Sequence, residues 1–165
     1  MQTDTTDHTR IIYTPIGAMI AIADEHGITY LDFTDAPSVQ NNSDHHLLVL
    51  LEEELHEYFD GKRSRFTLPL YPQGTPFQKS VWETLRTIPY GETISYGTEA
   101  KMFGNPKAVR AVAGANARNP ISILLPCHRV IASDGRIGGY SGGIWRKEFL
   151  LALEKSLNSG HKLFL

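Results

Sequence analysis

Residues Ser95 to Ala117 read SYGTEAKMFGNPKAVRAVAGANA, and this stretch decides the fold of the second half of the chain. Ser95 can cap a short helix through Ala100 to Phe103, and Gly104 can make the turn that follows. Asn105-Pro106 then opens a second helix from Lys107 to about Ala117. Two short helices joined by a glycine turn predict a helix-turn-helix. The second helix is nearly bare, because Arg110 is followed by Ala111, Ala113, Gly114 and Ala115. A helix that reads the major groove presents long polar side chains to base edges, whereas a bare one with a single arginine suits a narrow groove that the backbone approaches closely. Small residues serve close helix packing in a core equally well, so both readings stand at this point.

Outward on one side, Thr75-Pro76 makes an N-cap with proline in the first turn, and Phe77, Val81, Trp82 and Leu85 form one apolar stripe that Pro89-Tyr90-Gly91 stops. On the other side, Asn119-Pro120 leads into the apolar run Ile121, Ile123, Leu124 and Leu125, and then to Pro126-Cys127-His128-Arg129-Val130. Cys127 is the single cysteine of the chain. A sulfur there is either inert packing or a nucleophile, and the nucleophile must be a thiolate, which a nearby cation or base favours. His128 and Arg129 supply both. Adjacent residues do not generally face each other, so His128 is expected to reach the sulfur through a water or a local turn. Ala132 to Gly135 reads as a turn, Gly138 to Gly143 as a flexible loop, and Trp145 to Lys155 as a final amphipathic helix through Phe149, Leu150, Leu151 and Leu153, with Glu154 at its end.

The first half has a different texture. Met1 to Arg10 lacks apolar periodicity and reads as a mobile tail. Ile11–Tyr13, Ala18–Ala23 and Ile28–Phe33 predict a small antiparallel meander. Thr34 to Asn42 is a polar loop. From Asp44 as N-cap, Leu47, Leu48, Leu51, Leu55, Tyr58 and Phe59 recur at helical spacing opposite Glu52, Glu53, Glu54 and Glu57, read as a solvated face. Arg65 to Leu70 is expected to add one strand, and Tyr71 to Gly74 reads as a linker. The expected domains are 1–74 and 75–165: an α/β unit, then a mostly α-helical unit.

Charge divides at the same place. Residues 1–75 hold four Lys or Arg against twelve Asp or Glu, a net of -8, while residues 76–165 hold twelve against six, a net of +6. The basic half, with Arg110, Arg118, Arg129, Arg136, Arg146 and Lys147, is expected to attract phosphate, unless the asymmetry serves only attraction between the halves. No run approaches the roughly 18 apolar residues of a membrane span, and one cysteine excludes an internal disulfide, so a reducing cytoplasm is the expected location.

The segment PYGETISYG at 89–97, followed by RAVAGANARNPISILLPCHRVIASDGRIGGYSGGIWRKEFLLALE at 110–154, resembles the active-site domain of the O6-alkylguanine-DNA alkyltransferases. The resemblance covers essentially residues 75 to 155. It implies an RNase H-like α/β fold for the preceding half, and it makes Cys127 the acceptor of an alkyl group from O6-alkylguanine, or O4-alkylthymine, in duplex DNA. It implies His128 as base for Cys127 through a water, Glu154 as orienter of that histidine, and Asn119 as brace of the turn before the cysteine. Arg110 would fill the space left by the flipped nucleotide, entering from the minor groove with Ala111, Ala113 and Gly114. Tyr96 would press on the flanking phosphate and donate to the base. Tyr140 and Ser141 would cover the flipped guanine, and the carbonyls of Cys127 and Val130 would accept from its exocyclic amine. Val109 and Ala113 depart from the family's usual smaller residues and would add bulk to the groove face. No cofactor or metal is implied. The partner implied is double-stranded DNA carrying O6-alkylguanine, met by a monomer, with cooperative assembly on DNA left open. The competing readings are a lesion-binding protein without transfer, a Cys-His hydrolase and a plain DNA-binding regulator with an incidental cysteine.

Overall fold

The computed structural model describes residues 7–38 and 42–158. The chain divides into two compact units, Met1–Gln73 and Gly74–Leu165.

In the first unit, β1 (His8–Thr14), β2 (Gly17–Asp24) and β3 (Gly27–Phe33) form an antiparallel sheet in the order β1-β2-β3. Ile11 lies opposite Ile20 and Met19 opposite Phe33, and the register shifts between Ile22 and Ala23. The period of two places Met19, Ala21 and Ala23 of β2 on the buried face. Against it packs α1 (His46–Phe59), through Leu47, Leu48, Leu51, Leu55, Tyr58 and Phe59. The three strands of the meander and the apolar face of α1 are as expected. The expected tail is corrected at its end, since His8 to Arg10 already pair with β2; residues 1–6, and 39–41 of the polar loop, lie outside the described residues.

Three further differences have physical causes. The cap of α1 is His45, not Asp44: its Nδ1 accepts from the Leu47 N–H at 3.3 Å. Glu54 is not on a solvated face; it is 1% exposed, and it accepts from the Thr67 N–H at 2.8 Å. The strand expected at 65–70 reduces to a bridge of Leu70 with Ile28, in which the Ile28 N–H donates to Pro69 O at 2.9 Å and the Tyr71 N–H to Ile28 O at 2.7 Å. Gly27 permits that approach, because a Cβ there would collide with the Pro69 carbonyl.

The second unit begins with α2 (Pro76–Leu85), capped by Thr75 in a capping box with Gln78. Then come β4 (Ile94–Ser95), α3 (Tyr96–Phe103), α4 (Val109–Ala117), β5 (Val130–Ile131) and α5 (Ile144–Asn158). Ser95 caps α3 by accepting from the Thr98 N–H, and Gly104 ends it at φ 107. The helix-turn-helix is therefore present as α3, a left-handed glycine and α4. Its second helix starts two residues later than expected, because Asn105 Oδ1 accepts from the Lys107 N–H and holds 105–108 as a turn. Val81, Ala100, Val112 and Ala115 are the shared core of α2, α3 and α4, and Val109 packs against them, so it adds its bulk to the core. β4 pairs in parallel with β5, which sets Tyr96 beside the segment that follows Cys127. No helix among the described residues is long and apolar enough to cross a membrane.

Candidate active site around Cys127

The chain reaches Cys127 through a series of tight turns. Asn119 organises them: its Oδ1 accepts from the Ile121 N–H at 2.9 Å, and its Nδ2 donates to Leu125 O at 2.7 Å and to Cys127 Sγ at 3.3 Å. Ile123 stands at φ 74, where the Leu124 N–H turns back to Ser122 O at 2.9 Å. A β-branched residue in that region stores about 1–3 kcal/mol of strain, held here by burial of its side chain. Pro126, at φ -81 and ψ 63, makes another three-residue turn that directs the Cys127 N–H to Leu125 O at 2.8 Å. The 3-10 turn Cys127–Arg129 then points His128 and Arg129 into the protein and leaves Cys127 half-buried.

His128 is 0% exposed, and its Nε2 lies 2.7 Å from Glu154 Oε2. Arg129 grips the same carboxylate, Nε to Oε1 at 2.8 Å and Nη2 to Oε2 at 3.1 Å, and donates from Nη1 to Ile88 O at 2.8 Å. Burial pushes the Glu154 carboxyl up, but the His128 N–H and the Arg129 guanidinium more than reverse this and hold it well below the usual carboxylate range. Burial pushes the His128 imidazole down, outweighing the pull of Glu154, and the positive charges of Arg129 and Lys147 push the same way. The Arg129 fork is sufficient to keep Glu154 ionised, so the pair is a neutral imidazole donating to a carboxylate. The Nε2–H tautomer leaves a lone pair on Nδ1, which is buried and has no hydrogen-bond partner among the described residues.

Lys147 is the residue that charge counting misplaces. It is 0% exposed and donates from Nζ to Val130 O at 2.7 Å and to Gly139 O at 3.1 Å, tying β5 to the loop that precedes α5. Burial lowers its ammonium to about 8, and the Cys127 sulfur pulls it back up. A cation in electrostatic reach of the sulfur favours thiolate. Arg129 and Lys147 are thus both corrected: they are interior groups of the site and are not available to phosphate. Spacing carried the signal, since Lys147, Leu150 and Glu154 fall at i, i+3 and i+7 on the buried face of α5.

Tyr96 opens α3, half-buried, with Lys147 Nζ 5.9 Å from its ring centre. Burial, then the charges of Cys127 and Glu99, push its hydroxyl up, so it is a donor at neutral pH. A Cβ on Gly138, which stands at φ 77, would lie 3.1 Å from the Tyr96 hydroxyl and 3.4 Å from Lys147 Nζ, so the loop backbone rests directly on both groups. Tyr140 is half-buried and Ser141 exposed in that loop, where the Gly143 N–H donates to Tyr140 O at 2.9 Å and Arg146 Nη1 to Gly142 O at 2.9 Å. The Val130 carbonyl already accepts from Lys147, and the Cys127 carbonyl accepts from the Val130 N–H.

α4 turns its bare face outward. Arg110, Ala111 and Gly114 are exposed, Ala113 is half-buried, and Val112, Ala115 and Asn116 are buried. A Cβ on Gly114 would meet nothing within 4 Å, so packing does not require a glycine there. Trp82 Nε1 donates to Ala115 O at 2.9 Å and fixes the inward face. Among the described residues no group of three His, Cys, Asp or Glu is placed to hold a metal ion.

The family described as "6-O-methylguanine DNA methyltransferase, ribonuclease-like domain" matches residues 8–72, and "6-O-methylguanine DNA methyltransferase, DNA binding domain" matches residues 76–156. A methylated-DNA--protein-cysteine methyltransferase of Methanosarcina acetivorans is 46% identical over 88% of this chain and 97% of its own length. The constitutive methyltransferase of that name in Bacillus subtilis is 44% identical over 86% of this chain and 92% of its own. The crystal structure of Mycobacterium tuberculosis O6-methylguanine methyltransferase superposes with a TM-score of 0.82 at 42% identity, covering 92% of this chain and 94% of that one. The same organism's OGT in complex with DNA gives a TM-score of 0.82 at 44% identity, over 91% and 94%. The chain belongs to the 6-O-methylguanine DNA methyltransferase family.

Proposed function

We propose that Cys127 takes the methyl group from O6-methylguanine in double-stranded DNA and retains it as S-methylcysteine, so that one molecule repairs one lesion. Methyl transfer from methylated DNA to a protein cysteine is the activity of the family. The observation that carries the assignment to Cys127 is a half-buried sulfur, held by Asn119 at 3.3 Å, beside a buried neutral histidine anchored on an ionised Glu154.

The chemistry needs no cofactor. His128 Nδ1 draws the thiol proton through a water, Lys147 and the Asn119 amide favour the resulting thiolate, and the sulfur attacks the methyl carbon. The S–C bond forms as the C–O6 bond breaks, and the departing guanine receives the proton that the thiol gave up. Tyr96 donates to the base as it leaves. An in-line approach to that carbon is impossible inside the base stack, so the nucleotide is flipped out, with Arg110 filling its place and the Tyr140-Ser141 loop covering the base. α4 lies along the minor groove by its face of Arg110, Ala111, Ala113 and Gly114, and the two units act as an accessory domain and a DNA-binding, methyl-accepting domain. Bulkier O6-alkyl groups follow the same path. The protein acts as a monomer in a reducing cytoplasm, where a thiol of this exposure stays reduced.

Intact-mass measurement after incubation with an O6-methylguanine duplex tests this. The expected result is the gain of one methyl group per molecule, located on Cys127 and absent from the Cys127→Ala variant. An unchanged mass with retained lesion binding replaces transfer by a binding-only role.

A further inference from the structure

α3 and α4 are joined through a buried polar pair that methyl transfer does not use. Glu99 on α3 is 0% exposed, and Asn116 in the last turn of α4 is 8% exposed. Asn116 Nδ2 donates to Glu99 Oε1 at 2.7 Å. The other two polar atoms of the pair, Glu99 Oε2 and Asn116 Oδ1, are both buried, and neither has a hydrogen-bond partner among the described residues. Both are acceptors when Glu99 is a carboxylate, which leaves two unsatisfied oxygens inside the unit, an arrangement that folded proteins avoid. One proton on Oε2 changes this. A carboxylic acid donates from Oε2 to the amide oxygen while its Oε1 accepts from the amide nitrogen, and all four atoms are satisfied.

We propose that Glu99 is held as the neutral acid, closes a two-hydrogen-bond ring with Asn116, and by that ring positions α4 on duplex DNA. The second half of this statement rests on the reading of α4 as the DNA-facing helix. The location of the pair gives it leverage. The neighbouring residue Ala115 is fixed by Trp82, and the Asn119 N–H donates to Asn116 O at 3.1 Å, so the end of α4 passes directly into the turn that holds Cys127. Among the described residues no cation stands against Glu99. On its own helix Lys101 is exposed and Tyr96 is a neutral hydroxyl. Lys79 and Glu83 of α2 and Arg110 of α4 are exposed, and β4 and β5 contribute Ile94, Ser95, Val130 and Ile131, none of them ionisable. Consistent with this, burial raises the Glu99 carboxyl from 4.5 to about 7, against the opposing pull of the Asn116 amide. The folded state keeps a proton that the unfolded chain gives up at 4.5, so the stabilisation by the ring is complete below 4.5 and is lost as pH rises through about 7.

The test combines two measurements on the full chain between pH 6 and pH 8: the protonation of the Glu99 carboxyl, read by carbon-13 NMR and assigned by its absence in Glu99→Gln, and the affinity for an O6-methylguanine duplex. In Glu99→Gln the ring is made by two amides and needs no proton, so its affinity at pH 6 is expected to match the original. The expected result is a carboxyl that titrates near neutrality, with duplex affinity falling about tenfold more between pH 6 and pH 8 in the original chain than in Glu99→Gln. A carboxyl already ionised at pH 6, or the same pH response in both chains, overturns the proposal. The NMR reading stands on the original chain alone should the variant fold poorly. A carboxyl that titrates near neutrality in a chain that binds no duplex at any pH upholds the ring and overturns the DNA-facing reading of α4.

Discussion

Glu154 shows how one side chain can hold a buried histidine in a single protonation state. Its two oxygens take the His128 N–H and the Arg129 fork, and the whole group is buried. In Glu154→Gln the Arg129 charge stays buried without its counter-ion, which is expected to cost about 3 kcal/mol in denaturant unfolding. Methyl transfer is expected to slow as well, since His128 loses the carboxylate that orients it. The pH response follows from the depressed Glu154 carboxyl. The folded state binds fewer protons than the unfolded chain, so this stabilisation is present above the ordinary 4.5 and is lost as pH falls below it; the Gln variant should lack that acid-side loss. A second expectation concerns Gly138. Gly138→Ala places a Cβ in a left-handed conformation against the Tyr96 hydroxyl and should destabilise the fold by about 1 kcal/mol. Transfer from duplex and from free O6-benzylguanine should slow together, because the disturbed Tyr96 hydroxyl is, on the proposed reading, the donor to the departing base in both reactions. The contact of His128 with Glu154 at 2.7 Å is one that the family resemblance implies, whereas Arg129 and Lys147 are misread from the sequence because formal charge carries no information about burial.

At the scale of the element, the sequence was most informative where one local interaction decides the outcome. Thr75 with Gln78, Ser95 with Thr98, and Gly104 at positive φ set helix ends through caps alone, and the expected positions hold. Where a tertiary partner decides, the sequence misled: Glu54 was drawn inward by Thr67, Asn105 spent its side chain on a turn, and 65–70 pairs only where Gly27 lets the chain approach β3. α4 left two readings of its small residues open, and the structure separates them by face. Ala115 packs inward, while Gly114 faces open space. A glycine that the fold does not need costs helix stability, so Gly114→Ala should raise the unfolding free energy by about 0.5–1 kcal/mol. Gly114→Leu should fold as well and react normally with free O6-benzylguanine, yet repair a duplex about tenfold more slowly, because the added side chain holds the backbone away from the groove. Equal rates of duplex repair in the Leu variant would remove α4 from the interface.

For the molecule as a whole, the relevant quantity is the charge that can reach a phosphate. The second unit carries the basic excess of +6, but two of its twelve cations, Arg129 and Lys147, are sealed inside. Lys79, Arg86, Lys101, Lys107, Arg110, Arg118, Arg136 and Lys155 are exposed, and they set the ceiling on counterion release from duplex DNA by this unit's exposed described residues. If four of them neutralise phosphates, affinity should fall about a hundredfold between 50 and 200 mM salt, with a log–log slope near -3.6. Lys107 and Arg118 stand just beyond the two ends of α4 and are exposed, which makes them the natural phosphate partners of a helix lying along a groove. Fluorescence anisotropy with methylated and unmethylated duplexes separates the roles. Lys107→Ala and Arg118→Ala should each weaken both duplexes equally and flatten the slope by about 0.9. Arg110→Ala should instead slow repair of a duplex lesion far more than it weakens binding to an intact duplex, since a group that fills a vacated stack contributes only after the base has left. A slope that none of these substitutions changes would place the phosphate contacts elsewhere on the chain.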